Sequence, residues 1–463
     1  MIWFVGAGCY HPDMLTIGAI KCLKMADCVL YDHLVNPEFL QYTSAECECI
    51  CVGKRGYHPS FLQTDIEKLL VEKDKEYSNV VRLKGGDPFL FARGSEEMRY
   101  VLDHGCDCQY VPGISSAIGA LGFAGIPVTQ RYVSTGFVVH TLHTQDGKDP
   151  LDYTKIAQEK NTQIFFMGSH KIEQLVKNCL AHGMAADTPI ALGSHLTYPH
   201  QKVLVSSLGK LLDQDLSAYT SPLLIVIGDV VKEQAYLENA ARLPLFSKQV
   251  LFCSVDQTPW PIEDLTLRYG IYPTVRQVAE VKTIIEKKFS IEPYSTFVFV
   301  SRHAVEGFFE NLKTHHLDVR DLYQKKIVAI GARTQEALHQ RGLLCDRVFS
   351  HFRSFEEEWQ DKSSVCMIKA KKNEYAYPSF SCYCVDEKVF AIPEVLWDAV
   401  AVTCSRSLEI LKNKGLDLST PIFCFAHKTL QKAKEWGFTN LHPTPSSKQE
   451  LVEELIRFLG ETS

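Results

Sequence analysis

The chain is 463 residues long, and at about 150 residues per domain this predicts about three compact units. Hydrophobic residues make up 46% and charged residues 22%, and 49 basic against 55 acidic side chains leave a formal net charge of −6. This balance excludes a disordered chain, a collagen-like chain and a small disulfide scaffold, and gives no overall field for nucleic acid or an anionic membrane, although a local basic pocket stays open.

The opening MIWFVGAGCYHPDML is a short apolar run leading straight into a glycine turn. It lacks the basic flank and long apolar stretch of a signal peptide, and no run of apolar residues is long enough to predict a membrane helix. The expected location is the cytoplasm. Cys47, Cys49 and Cys51 recur with period two, as do Cys106 and Cys108, and Cys382 and Cys384. That spacing puts each set on one face of a strand, whereas zinc knuckles need paired cysteines around a turn. Free thiols packed as small apolar residues are expected, and no metal.

In chain order, IWFVGAG, DCVLYD, CECICVG and NVVRLKGG predict buried strands that each end in a polar or glycine-bearing loop. LTIGAIKCLKMA and LQTDIEKLLVEK predict helices between them. The alternation predicts a parallel sheet whose loops converge on one rim. GFVVHTL, TQIFFMG, TPIALGS, QKVLVSSL and SPLLIVIGDVV are more closely spaced and predict a second subdomain with a mixed sheet. Residues 237–248 read as a connector, and QVLFCSV begins a fresh strand. FVFVSRHAVEGFFENL with KKIVAIGARTQEALHQRG is echoed by AVAVTCSRSLEILKNKG with PIFCFAHKTLQKAKEWG, which places Thr334 and Thr429 at equivalent turns and predicts two similar α/β lobes. Residues 351–388 read as a charged surface or hinge.

The stretch RLKGGDPFLFARGSEE carries the densest chemistry. Gly85 and Gly86 permit close backbone approach, Asp87 offers a carboxylate, and Arg82, Lys84 and Arg93 supply three cations. A tight turn with solvated charges explains the same residues equally well. Ser115 and Ser116 in VPGISSA either cap a helix or hold a ligand carboxylate. VGAG at residues 5–8 is not a dinucleotide fingerprint, because Tyr10 and His11 interrupt it. Asp32 and Lys54 follow neighbouring strands and read either as acid/base partners or as an ion pair at the sheet rim.

Together, VGAG-x3-PDMLT, LYDHLV, VGKRG, RLKGGDPFLFARG, VPGISSAIGALGFAGIPVT, FFMG and SPLLIVIGDVV resemble the tetrapyrrole methylase family, and within it the uroporphyrinogen-III C-methyltransferases. The resemblance covers about residues 1–235. It implies two α/β subdomains with S-adenosyl-L-methionine between them, methylation of uroporphyrinogen III at C2 and C7 to precorrin-2, and a homodimer. By motif, the cofactor contacts are Cys9, Gly85, Gly86, Asp87, Leu90, Ser115, Ser116, Met167 and Leu196. Asp32 and Lys54 take the places of proton acceptor and donor, and Arg82, Lys84 and Arg93 face substrate carboxylates. Two departures stand out. GAGCYHP replaces the family's GAGPGDP, and SHLT at 194–197 replaces ENGT, so that Leu196 stands where a glycine is usual.

FVFVSRHAVEGFF, VAIGARTQEAL, AVAVTCSRSLEIL and the Thr429 turn resemble uroporphyrinogen-III synthase more weakly. That resemblance implies a two-lobed α/β fold that cyclises hydroxymethylbilane without a cofactor, with Ser301, Thr334, Ser405 and Thr429 facing the cleft. Helix capping accounts for these hydroxyls equally well. Lys369, Lys371 and Lys372 either add charge to that cleft or form a solvated run. The expected division is a methyltransferase domain at 1–240 and a synthase-like domain at 247–463. The latter has one lobe at about 247–278 plus 390–463 and the other at about 279–389. A bifunctional enzyme is the first reading; an active methyltransferase carrying a degenerate tetrapyrrole-binding module is the second.

Overall fold

A computed structural model describes the chain except for residues 45, 54–61, 144–150, 256–257, 360–363, 389, 391, 394, 445–446 and 462–463. The described residues form two compact units, not three. One comprises Met1–Val250, Ile262–Thr274 and Arg457–Ser463; the other comprises Leu251–Pro261 and Val275–Ile456. The first 250 residues count as one unit because their two sheets share a core. Cys9, Ala117 and Leu121 pack in one cluster with Ile164, Ala191, Leu196 and Leu224.

The first sheet has strands β1 (Ile2–Gly6), β2 (Cys28–Tyr31), β3 (Glu48–Cys51), β4 (Val80–Lys84) and β5 (Cys108–Val111) in the order β3-β2-β4-β1-β5. Every pairing is parallel. Helices α1 (Ile17–Met25), α2 (Gln63–Glu76) and α3 (Gly94–Asp103) cover it, and the short α4 (Gly119–Phe123) follows β5. Alternation along β4 sends Val81 and Leu83 into one core and Val80 into the other, among Ile66, Leu70 and Val101. Arg82 and Lys84 share the Val80 face by the period-two rule. The central neighbours β1 and β4 hand the chain on in opposite directions, so their C-terminal ends open a crevice of the kind that parallel sheets use for ligands.

The second sheet contains β6 (Phe137–Thr141), β7 (Thr162–Phe166), β8 (Pro189–Ser194), β9 (Lys202–Ser207) and β10 (Leu223–Ile227) in the order β6-β7-β10-β8-β9. Only β6 and β7 run parallel; the other three pairings are antiparallel. The mixed sheet matches the short spacing between these strands in the sequence.

The remaining strands form two further sheets. One orders β12 (Tyr272–Gln277), β11 (Gln249–Ser254), β19 (Ala399–Val402), β20 (Ile422–Phe425) and β21 (Leu441–Thr444). The other orders β13 (Ala279–Thr283), β18 (Ser379–Glu387), β17 (Val365–Ala370), β14 (Thr296–Phe299), β15 (Lys326–Ile330) and β16 (Arg347–Phe349). The charged reading of 351–388 is corrected here. Cys366, Met367 and Ile368 of β17 are fully buried inside the six-stranded sheet, and the charges that dominate the sequence lie in its flanks. All sixteen cysteines are free thiols. Cys253, Cys366, Cys382 and Cys424 are core residues, whereas Cys49 is exposed on β3, at an edge of its sheet, rather than packed. Among the described residues no helix is long and apolar enough to cross a membrane, and no group of three or more metal-ligating side chains occurs.

Candidate functional site

The crevice at the ends of β1 and β4 is a real cavity. Its lining includes Gly8, Cys9, Gly85, Gly86, Asp87, Leu90, Ser115, Ser116, Met167 and Leu196, together with Asp32. The structure thus brings together every residue assigned to the cofactor from sequence. Gly8 and Gly86 exchange backbone hydrogen bonds of 3.1 and 2.7 Å, which ties the two loops together. Gly86 has φ +69, and a Cβ there would meet nothing nearer than 4.0 Å, so the space in front of it is an open cradle. Gly113 is the opposite case: its Cβ would lie 2.1 Å from the Gly86 carbonyl oxygen.

Backbone strain gathers at this cavity. Tyr10, Phe91, Met167, His195 and Thr197 all have positive φ and lie on or beside its lining. Non-glycine residues hold such conformations at a cost of about 1–3 kcal/mol each, and they persist where packing over-determines them. Loops that bind ligands are a common place for this.

Several assigned residues have structural partners. Asp87 accepts from the Phe89 N–H at 2.8 Å, the Tyr110 hydroxyl at 2.6 Å and the Gly113 N–H at 3.1 Å. It therefore staples the β4 loop to the β5 loop at the cavity wall. Burial, reinforced by Asp87, pushes the Tyr110 phenol up to about 12. The Ser115 hydroxyl accepts from the Ala117 N–H at 3.2 Å, the capping role that the sequence left open. Leu196 packs down into the shared core with Cys9, and its methyl would lie 2.5 Å from a Cβ at Gly193. Burial pushes the Cys9 thiol up to about 12, so it stays protonated and apolar.

Arg82 and Lys84, expected to face substrate carboxylates, are paired with carboxylates of the chain itself. Both are about 1% exposed. The Arg82 Nε donates to Glu97 at 2.9 Å and its Nη2 to Asp32 at 2.6 Å, while the Lys84 Nζ donates to Glu97 at 2.6 Å. Two cations on the inward face of a central strand need anions, and α3 supplies Glu97, itself 1% exposed. Burial, together with the Arg82 charge, lowers the Lys84 ammonium. Burial alone would raise Glu97, but Arg82 and Lys84 hold its carboxyl below the usual range. Sequence reasoning missed Glu97; the signal was the unpaired Arg-x-Lys alternation in an otherwise apolar strand.

Asp32 lines a second, more polar cavity as well, with His33, Gln63, Arg82, Lys84, Arg93 and Glu97. Asp32, with Leu34 and Ala92, thus lines both cavities. Arg93 is half-exposed and pairs with Glu96 at 2.6 Å. Lys54 lies outside the described residues.

In the second unit, the Ser301 hydroxyl accepts from the Ala304 N–H at 3.2 Å, capping the helix Arg302–Thr314, and lies 2.9 Å from the Tyr383 hydroxyl. Tyr383 was not foreseen. The Thr334 hydroxyl donates to the Ile330 carbonyl at 2.8 Å and is buried, as is Thr429; Ser405 begins the helix Ser405–Asn413. Lys369 is buried and donates to the Asn373 carbonyl at 2.6 Å, while Lys371 and Lys372 are exposed.

Comparison with known proteins agrees with this geometry. Residues 1–212 match the family model for tetrapyrrole (corrin/porphyrin) methylases, and residues 262–373 match that for uroporphyrinogen-III synthase HemD. A siroheme synthase of Hydrogenovibrio crunogenus is 37% identical over 243 residues, 52% of this chain and 51% of that one. The chain therefore spans about half the length of that relative. A uroporphyrinogen-III C-methyltransferase of Synechococcus elongatus is 40% identical over 235 residues, covering 51% of this chain and 95% of its own length. Another of that name, from Bacillus subtilis, is 33% identical over 353 residues, covering 74% of this chain and 72% of its own. With the glycine cradle in place and similarity running through most of two such relatives, this chain belongs to the tetrapyrrole methylase family.

Proposed function

We propose that the first unit transfers methyl groups from S-adenosyl-L-methionine to C2 and C7 of uroporphyrinogen III, giving precorrin-2, and that the second unit makes uroporphyrinogen III by cyclising hydroxymethylbilane. The observation that carries this reading is the position of Asp32. Asp32 lines both the glycine- and serine-lined cradle and a charged cavity, and Arg82 holds its carboxylate at 2.6 Å.

The residues present fit the cofactor, since the open face of Gly86 leaves room that any side chain would fill. When bound, the cofactor supplies an electrophilic sulfonium methyl. The cradle's task is alignment: the two loops tied at Gly8 and Gly86 hold the donor, and the apolar wall of Leu90, Phe91, Phe166 and Met167 excludes water from it. The substituted pyrrole carbon would form the new C–C bond as the methyl's bond to the sulfonium sulfur breaks, leaving the thioether, and another position of the macrocycle would then lose a proton to restore conjugation. Asp32 accepts that proton, oriented by Arg82. Arg93, at the second cavity, offers its guanidinium to a substrate carboxylate. A homodimer in the cytoplasm belongs to the same proposal.

An anaerobic assay of the whole chain with hydroxymethylbilane and S-adenosyl-L-methionine tests both halves. Dimethylated type-III product supports the reading. Type-I products alone defeat it for the second unit, and unmethylated type-III product defeats it for the first. One observation favours the second reading, a non-catalytic tetrapyrrole-binding C-terminal unit: the Thr334 hydroxyl is already committed to the Ile330 carbonyl. Cyclisation by the whole chain rejects that reading.

A further inference from the structure

The two places where the sequence departs from the family pattern touch each other. Tyr10, from GAGCYHP, and Tyr198, which follows SHLT, stack with ring centroids 3.6 Å apart and planes 17° apart. Both rings line the glycine-serine cavity. Burial raises both phenols, so neither carries charge near neutral pH.

The stack is held from several sides. Tyr10 has φ +69, a conformation that its neighbours must enforce. The Asn36 side-chain amide donates to the Tyr10 carbonyl at 2.8 Å. Thr197 also has positive φ, its hydroxyl donates to the Cys9 carbonyl, and its N–H donates to Gln201 at 3.0 Å. The Tyr272 hydroxyl donates to the Thr197 carbonyl at 3.1 Å. His195 and His200 pack edge-on against the Tyr198 ring. Cys9 and Leu196, next to Tyr10 and Thr197 in the chain, lie in one core cluster. The departures therefore meet in one structure: Tyr10, Tyr198, Cys9 and Leu196 all line the cavity, and Cys9 and Leu196 also pack into the core.

We propose that Tyr10 and Tyr198 act as a single stacked aromatic wall that sets the affinity of this cavity for its sulfonium cofactor. The wall offers a flat, apolar and electron-rich surface suited to a purine ring or a cationic group. Because both rings are fixed before binding, little side-chain freedom is lost when the ligand arrives. Each ring is braced by the other, so removing either one dismantles the wall. This rests on the reading of the cavity as the S-adenosyl-L-methionine site.

The test is calorimetric titration of the full chain with S-adenosyl-L-homocysteine. Tyr10→Ala and Tyr198→Ala should each weaken binding by about fivefold or more, and the double alanine variant should be within about threefold of the weaker single. The double phenylalanine variant, which keeps both rings, should restore affinity to within about threefold of the unaltered chain. A smaller loss in either alanine variant, additive losses, or failure of the phenylalanine pair to restore binding overturns the wall. Gly86→Val separates the two levels. If it abolishes binding while the alanine variants do not weaken it, the cofactor reading stands and the wall falls. If the unaltered chain does not bind, both fall.

Discussion

The Arg82 Nη2 lies 2.6 Å from the Asp32 Oδ1, and the same guanidinium reaches Glu97 through its Nε at 2.9 Å. One buried cation therefore spans the distance from an interior helix to a carboxylate at the cavity wall. Asp32 keeps a side-chain exposure of 30%, whereas Arg82 and Glu97 have 2% and 1%. The arrangement places a reachable carboxylate on an immobile support.

If that carboxylate removes the ring proton, Asp32→Asn lowers the methylation rate by about 10²–10⁴-fold, the usual worth of a positioned base. The aim is lost proton transfer without lost binding. Initial rates under anaerobic conditions, set beside calorimetry with S-adenosyl-L-homocysteine, separate the two. Near-normal rates would remove Asp32 from the chemistry.

Glu97→Gln leaves Arg82 and Lys84 buried with a single anion between them. Breaking a buried pair in this way costs about 3–5 kcal/mol. Denaturant unfolding should show that loss, and adding Lys84→Met should recover part of it by restoring charge balance. The Glu97 carboxyl is held below its ordinary value of 4.5, so its stabilisation is complete above that pH and fades as pH falls through the lowered value.

His11 gives a second pH dependence at milder acidity. It is 4% exposed, and burial pulls its imidazole down to about 4 from 6.5. Between those values the unfolded chain binds a proton that the folded chain refuses, so stability falls as pH drops through this window, by about 3 kcal/mol in all. The ring's Nδ1 accepts from the Asp13 N–H at 3.2 Å. His11→Asn can keep that acceptor without titrating, and urea unfolding across the window should then be flatter than for the unaltered chain.

Two glycines should fail differently. Gly86→Ala places a methyl in the open cradle at φ +69 and should mainly weaken cofactor binding. Gly113→Ala drives a methyl to 2.1 Å from a backbone oxygen, so the loops must separate and the melting temperature should drop. Equal loss of binding and stability in both would show that the cradle is not a ligand surface.

In the second unit, Thr334→Val removes a hydroxyl already used on the Ile330 carbonyl at the end of the preceding strand β15. Cyclisation should change by less than about threefold, whereas Ser301→Ala removes a cap worth about 1 kcal/mol and the partner of Tyr383. Paired rate and stability measurements on the two variants decide whether these hydroxyls serve the fold or the substrate.

Much of this molecule is legible in its residues. Apolar runs ending in glycine loops spell out the parallel sheet, and RLKGGDP and VPGISSA supply much of the cavity's lining. What escaped reading depended on distance in sequence. The pairing of Arg82 and Lys84 with Glu97 is not local, because Glu97 sits on the following helix. Tyr10 and Tyr198 are 188 residues apart, and nothing local announces that they stack. VCMIKA is an apolar strand hidden between charged flanks, so local averaging hid it.

The segment Ile262–Thr274 follows the connector and falls within the stretch that matches the synthase family, yet it packs with the first unit, where Tyr272 braces Thr197. The bounds of the family match and the bounds of the compact unit therefore differ. A chain ended at the connector would lack Tyr272, whose hydroxyl donates to the Thr197 carbonyl beside the cavity.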